Sequence, residues 1–481
     1  MMTNKDSSQN TGMKENIFES SDSTKMNMGH LKVWFTAGMG FFTDAYDLFI
    51  IGIALLILEG NGAGFTISKG SPYVGAGLIL SSAIIAAIFG QLIFGRLSDI
   101  LGRKAIYGIE AALLASGAIL SAFSFNFISL FAFRFILGLG IGGDYPMSAT
   151  IMSEYSNTKD RGKMMALVFA NQGIGSVVAV FIGLFSVTVF PTDIAWKFML
   201  AFGAIPALLV IYLRRKLPET PRYSALVKGD KTQTEKAMKV VVSSAEVENV
   251  AIAKKSSLFE FLRNYATMLV VTAGSWFLLD MAFYGTGIYS VEFTSSILPS
   301  TSLFNEILIG GLPFFVGFFG YFTAVGLMDR VGRKKLQIIG FFMMFILYLI
   351  VAAVLETKGP NVTGYIIPSS VALILYSLTF FFIDMGPNTT TFITPAELYP
   401  VNYRSTGHGI SAATGKVGAA ITTFTFAALS TSIGIKPLLL LLAGTSVVGG
   451  VLSLFLKETK NMPLEETSNE KIVTQSQTSE Q

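Results

Sequence analysis

Apolar residues in this chain come in long blocks broken by short polar or charged segments. A helix needs about 20 mostly apolar residues to cross the hydrocarbon core of a bilayer. Twelve blocks reach that length, near residues 33–57, 73–95, 105–124, 127–152, 164–189, 195–213, 265–290, 305–327, 336–355, 363–385, 405–430 and 437–456. The pattern predicts an all-α membrane protein with twelve transmembrane helices. The first 30 residues are polar with no long apolar core, so no cleavable signal peptide is expected. The segment after Pro463 is expected to be a disordered polar tail.

Composition agrees and narrows the class. Of 481 residues, 52% are hydrophobic and only 14% charged, where a soluble domain carries about 25% charged residues. Soluble enzymes, nucleic-acid binders and disordered proteins are thereby set aside. With no cysteine, disulfides, thiolate metal sites and cysteine nucleophiles are excluded. The net charge of +4 says less than its distribution. Loops after spans 2, 4, 8 and 10 hold Arg96, Arg103, Lys104, Lys159, Arg161, Lys163, Arg330, Arg333, Lys334, Lys335 and Arg404, whereas the alternate loops hold only Lys69, Lys197, Lys358 and Lys436. The segment from Arg214 to Arg263 adds eleven basic residues on the first side. Positive charge stays inside, so both termini are expected in the cytoplasm.

An internal repeat divides the chain. Gly95-Arg-Leu-Ser-Asp99-Ile-Leu-Gly102-Arg103-Lys104 follows span 2, and Gly326-Leu-Met-Asp329-Arg330-Val-Gly332-Arg333-Lys334 follows span 8. Glu154 and Arg161 after span 4 match Glu397 and Arg404 after span 10. Pro218-Glu219-Thr220-Pro221-Arg222 matches Lys457-Glu458-Thr459-Lys460. Three pairs offset by 230 to 243 residues argue for two six-span halves. The expected division is a tail (1–30), a first bundle (31–213), a basic linker (214–264), a second bundle (265–457) and a tail (458–481). Turn signals and topology account for the basic residues, but not for an Asp held before Gly-Arg-Lys in both halves. Asp99, Arg103, Glu154, Arg161, Asp329, Arg333, Glu397 and Arg404 are therefore expected to form a gating network of ion pairs.

Charged side chains inside spans are costly and mark function. Asp44 and Asp47 lie in span 1, Glu110 in span 3, Arg134 and Asp144 in span 4, Asp280 in span 7, Asp384 in span 10 and Lys416 in span 11. Trp276, Asp280 and Tyr284 recur every four residues, which places an indole, a carboxyl and a phenol on one helix face. Interface anchoring would explain the two rings, but both sit well inside the span. Gly142 and Gly143 before Asp144 and Pro146 are expected to loosen their helix and permit close backbone approach. A pair of Asp144 with Arg134 would need another helix to intervene.

The repeated loop resembles the signature of the major facilitator superfamily, whose fold is two pseudo-symmetric six-helix bundles rocking around a midplane site. Within it, the chain resembles the inorganic phosphate:proton symporters at Gly38-Met-Gly-Phe-Phe-Thr-Asp-Ala-Tyr-Asp47, Gly140-Ile-Gly-Gly-Asp-Tyr-Pro146, Trp276-Phe-Leu-Leu-Asp-Met-Ala-Phe-Tyr284, Pro387-Asn-Thr-Thr-Thr-Phe392 and Arg404-Ser-Thr-Gly-His-Gly-Ile-Ser411. That resemblance implies a phosphate pocket of Tyr145, Gln172, Trp276, Asp280, Tyr284 and Asn388, in which Asp384 replaces a usual Asn. It implies anion attraction and proton transfer at Lys416, Asp44, Asp47, Glu110 and Asp144, and leaves open which of Asp44 and Asp47 carries the proton role. It also implies a plasma-membrane carrier whose partners are a small anion (phosphate favoured), protons and lipid, with no cofactor, metal, nucleotide or nucleic acid. Asp384 adds negative charge to an anion pocket, so it is expected either to hold a proton or to pair with Lys416, unless the substrate is not phosphate.

Buried carboxyls hold protons more readily, so Asp280 and Asp144 are the expected coupling groups: a protonated Asp280 donates to an anion and an ionised one repels it. A proton-coupled sugar or organic-acid symporter is the nearest alternative, because the Pro218–Arg222 segment is shared with sugar carriers. A non-transporting nutrient sensor is a second. An enzyme is not expected: His30 and His408 are the only histidines, and Gly415-Lys416 lacks the Gly-rich loop of a nucleotide site.

Overall fold

A computed structural model of the protein describes residues 17–60, 72–244, 247, 251–300, 302–470 and 472–474. Lys69, most of the N-terminal tail and the last seven residues lie outside them. The long helices are α1 (Met28–Leu58), α2 (Pro72–Leu101), α3 (Arg103–Ala122), α4 (Phe127–Tyr155), α5 (Arg161–Val189) and α6 (Thr192–Arg215), then α7 (Ala266–Ile288), α8 (Leu303–Val331), α9 (Arg333–Val354), α10 (Ser369–Leu398), α11 (Arg404–Ser432) and α12 (Ile435–Ser453). Among the described residues, eleven are long and apolar enough to cross a membrane. The remaining one, α11, spans 29 residues but is rich in Ser, Thr and Gly and carries Lys416.

Local sequence sets where these helices begin. The Asn27 and Asn126 side chains accept backbone N–H groups of the first turns of α1 and α4. Gly102 and Gly332 start α3 and α9 at φ of +109° and +102°, a region that favours glycine. A Cβ at either would also lie 2.4 Å from the carboxylate of Glu219 or Glu458. The glycine of the repeated loop is thus a sharp corner between two helices, closed over an acidic side chain.

Packing follows a matched scheme: α1 lies on α5, α2 on α4, α7 on α11 and α8 on α10. Two large contacts cross between the halves, α2 with α11 and α5 with α8; each becomes the other when six is added to or subtracted from the helix numbers. Small residues let these backbones approach. A Cβ on Gly95 would sit 2.7 Å from the Ser405 carbonyl, and one on Gly409 would sit 2.4 Å from that of Gln91.

The structure corrects four sequence expectations. The tenth span does not run 363–385: residues Asn361–Tyr365 pair with Leu355–Lys358 as a hairpin, and α10 continues to Leu398. It is broken at Gly386, whose backbone packs against Gly340 of α9, and restarts at Pro387, which needs no N–H partner in a first turn. Next, α4 is one continuous helix through Gly142 and Gly143. Its glycines serve close approach, Gly142 lying over the Ala87 backbone of α2.

The third correction concerns the segment after Pro463, which is folded as far as it is described. Leu464–Thr467 forms a helical turn and Ile472–Thr474 pairs antiparallel with Ala251–Ala253 of the linker. Buried charges give this short polar stretch its anchor, with Glu465 bound to Arg222 at 2.8 Å. Lastly, Arg214, counted with the linker from sequence, is 2% exposed at the end of α6 and bonds inside the bundle.

Candidate functional site

Two constellations stand out: a pocket midway along the helices and an ion network at the face carrying the basic loops. In the pocket, four-residue spacing along α7 turns Trp276, Asp280 and Tyr284 inward, where all three are 1% exposed. Lys416 of α11 donates to Asp280 Oδ2 at 2.8 Å. Its ammonium also lies 4.7 Å and 4.4 Å from the ring centres of Tyr145 and Tyr284, whose hydroxyls are 3.4 Å apart. Rings that face a cation stabilise it, so a buried ammonium is held here by one carboxylate and two phenols. Trp276 leans on Tyr145 and meets the His408 ring edge-on. Gln172 is 2% exposed, and neither its side-chain oxygen nor Asp280 Oδ1 has a hydrogen-bond partner.

Asn388, just past the break in α10, donates to both Tyr321 Oη and Asp384 Oδ1 at 2.8 Å. Asp384 does not pair with Lys416, as one sequence reading allowed, because Asp280 already holds that ammonium. The break explains the placement: it turns the Asn388 amide back toward the carboxyl four residues earlier.

Aromatic side chains close the pocket at both ends. Phe41, Phe169 and Phe392 meet toward the basic face, with the Phe169 and Phe392 rings stacked at 4.5 Å. Toward the opposite face, Phe49 stacks on Tyr284 and touches Phe314 at 4.8 Å. A narrow cleft lined by Phe49, Ile53, Val180, Gly287, Ile307 and Phe314 lies beyond. These phenylalanines were missed from sequence because 41 Phe residues give no signal that singles out five.

The acids of the first half gather on the other side of α1. Asp144 is bonded by Arg214, which also holds Glu110 at 2.7 Å and lies over the Tyr107 ring. The Asp44 carboxylate lies beside that of Asp144. Asp47, one helical turn on, stands apart from them: Arg134 donates to its backbone carbonyl at 2.9 Å. Asp144 thus takes its cation from α6 and is not paired with Arg134.

At the basic face, every expected gating residue joins one of two matched clusters. Glu154 of α4 binds Arg103 at 3.1 Å and Arg404 of the other half at 2.9 Å. Glu397 of α10 binds Arg333 at 2.7 Å and Arg161 of the other half at 2.8 Å. Asp99 accepts the N–H of Thr406 at 2.7 Å at the start of α11, and Asp329 accepts the N–H of Lys163 at 2.6 Å at the start of α5. Each aspartate thus caps a helix across the divide, where a carboxylate also complements the helix dipole.

The third repeated segment completes each cluster. Glu219 and Glu458 accept the first N–H groups of α3 and α9. The Thr220 and Thr459 hydroxyls donate to Glu154 and Glu397. Arg222 binds Asp22 at 2.7 Å and Glu465 at 2.8 Å; burial opposes its charge, yet these two carboxylates raise its pKa. Burial pushes the Glu470 carboxyl up to about 7, against the pull of Arg404. Among the described residues no group of three or more His, Asp or Glu side chains could hold a metal ion.

Buried charges within a bundle of long apolar helices, gathered at a closed central pocket and at one end, define a membrane carrier. Residues 33–470 match the family model described as sugar (and other) transporter, and the chain belongs to that family. It is 38% identical to "Probable inorganic phosphate transporter 1-6" of Arabidopsis thaliana, covering 94% of this chain and 96% of the relative. It is also 37% identical to "Low affinity inorganic phosphate transporter 1" of Petunia hybrida, covering 93% and 94%. The fold is that of the major facilitator superfamily: the proton:xylose symporter XylE bound to 6-bromo-6-deoxy-D-glucose superposes with a TM-score of 0.77 at 20% identity, covering 91% of this chain and 98% of that one. Inward-open XylE from E. coli gives 0.66 at 20% identity, covering 91% and 99%. The protein is a multi-pass integral membrane transporter and not an enzyme.

Proposed function

We propose that this chain is a proton-coupled secondary active transporter that carries inorganic phosphate across the plasma membrane by alternating access. The observation that carries the reading is the buried Lys416 ammonium, shared by Asp280, Tyr145 and Tyr284. A cation beside hydroxyl donors suits a tetrahedral oxyanion, and the relatives' names supply the particular anion. Gln172, Trp276 and Asn388 add neutral donors around it.

Coupling follows from the pair. While Asp280 is ionised it satisfies Lys416 and repels an anion. When Asp280 takes a proton, Lys416 is released to the phosphate and the carboxyl becomes a donor to it. Proton and phosphate then favour each other's binding, which is linkage. Asp44, Asp144 and Glu110, gathered around Arg214, form the route by which protons reach or leave the pocket, and Asp47 beside Arg134 is a second station. After release to the cytoplasm, Asp280 and Lys416 pair again and the empty carrier returns.

The two six-helix halves are the rocking units, joined by the basic linker that follows α6, with both tails in the cytoplasm as the Lys and Arg bias requires. The clusters around Glu154 and Glu397 lock the cytoplasmic side and part when it opens. In proteoliposomes, labelled phosphate is expected to enter with an imposed inward pH gradient, and Asp280→Asn to abolish that uptake. Uptake indifferent to the gradient would remove the symport reading. Displacement of the label by hexoses or carboxylates, but not by arsenate, would replace phosphate with the sugar or organic-acid alternative.

A further inference from the structure

Asp384 is the one charged-type side chain of the pocket for which the cycle above has no use, and its surroundings are unlike those of Asp280. It is 2% exposed. Oδ1 accepts from the Asn388 amide, and Oδ2 faces Gly317 of α8, where a Cβ would lie 2.4 Å away. Among the described residues, the Tyr321 phenol is the only titratable side chain that reaches it. On the other elements packed against this half of α10, the ionisable groups are engaged elsewhere. Asp280 and Tyr284 of α7 face Lys416, and Arg333 of α9 is bound to Glu397 and Asp329. Tyr348 of α9 lies by Tyr376, and Glu292 of the Ser290–Ile297 helix is turned toward Glu59.

A buried carboxylate with no cation is expensive, and two neutral donors do not replace a counter-ion. Placing an anion in the adjoining pocket raises that cost, because both charges share a region of low dielectric. Removing the anion and admitting water lowers it. The group's charge is therefore tied to whether the pocket is filled.

We propose that Asp384 is a second proton-carrying site, loaded with the substrate and emptied with it, so that each cycle moves one proton more than Asp280 and its partners alone would move. On the side where phosphate enters, the Asp384 carboxylate takes up one proton and becomes a neutral carboxyl. On the side where phosphate leaves, it returns that proton to water. The inference rests on the phosphate:proton reading and adds the number of protons to it.

The test is a thermodynamic ratio. In proteoliposomes with the membrane potential clamped, the pH gradient that just halts net movement down a set phosphate gradient gives protons per phosphate; the readout is this ratio, whatever the rate. Asp384→Asn is expected to lower it by one, and Asp384→Glu to restore it. Asp384→Ser, which also cannot carry a proton, reads the same quantity if the Asn variant folds poorly. Equal ratios in wild type and either neutral variant would overturn the Asp384 site while leaving symport intact. Absence of gradient-driven phosphate uptake by the wild type would instead remove the phosphate reading and this proposal with it.

Discussion

Lys416 is 2.8 Å from Asp280 and each is 1% exposed, so the pair is shielded from bulk solvent. Breaking a buried pair leaves one uncompensated charge, at a cost of about 3–5 kcal/mol. Lys416→Met is therefore expected to lower thermal stability in detergent by roughly that amount and to abolish phosphate binding. Adding Asp280→Asn should recover most of the stability and none of the binding. A double variant no more stable than Lys416→Met would show that the two groups are not a mutual pair. Sequence located both residues, since a charge inside an apolar span is conspicuous. It could not say that Lys416 chooses Asp280 over Asp384. That choice depends on which helix faces α11; Asp384 meets Asn388 and Tyr321 instead.

Among the elements, the segment after Pro463 departs furthest from expectation. It reads as solvated tail because it is short and polar, yet it is fixed by charges that lie far away in sequence. Glu470 accepts the Val401 N–H at 2.9 Å and approaches Arg404 at 3.8 Å. Its carboxyl is raised from 4.5 to about 7 by burial. The docked state then binds a proton more tightly than the undocked one, so this contribution to docking is present below about 4.5 and is lost as pH rises through about 7. Proteolysis of this segment is expected to quicken over that window, and Glu470→Gln to flatten the dependence. A rate unchanged by pH in the wild type would count against the contact. The repeated Gly-Arg-Lys loops show the opposite case: their spacing was legible, and the structure supplies the reason in a positive-φ corner at Gly102 and Gly332 closed over Glu219 and Glu458.

In the whole molecule, the two glutamates at the basic face each hold arginines from both halves. A hydrogen bond to a charged group contributes about 1.5–3 kcal/mol, so losing both carboxylates should shift the balance toward opening on that side by well over tenfold. The chain has no cysteine and is its own background for labelling. Thr150, 0% exposed and bonded by Ser405 across the divide at 3.0 Å, is a suitable reporter. A cysteine in place of Thr150 is expected to react at least about tenfold faster with an impermeant thiol reagent in Glu154→Gln/Glu397→Gln than in the parent. Equal rates would mean that the clusters do not hold this face shut.

The amino-acid sequence alone determined the class, the helix count, the repeat and which positions carry charge inside apolar spans, because the cost of charge in hydrocarbon makes those few positions stand out locally. Tertiary structure decided the pairings: Asp144 with Arg214 rather than Arg134, Lys416 with Asp280 rather than Asp384, Glu154 with Arg404 and Glu397 with Arg161. It also decided which five phenylalanines close the pocket. Partner choice is set by distances between helices remote in sequence, and no spacing within one helix contains that information.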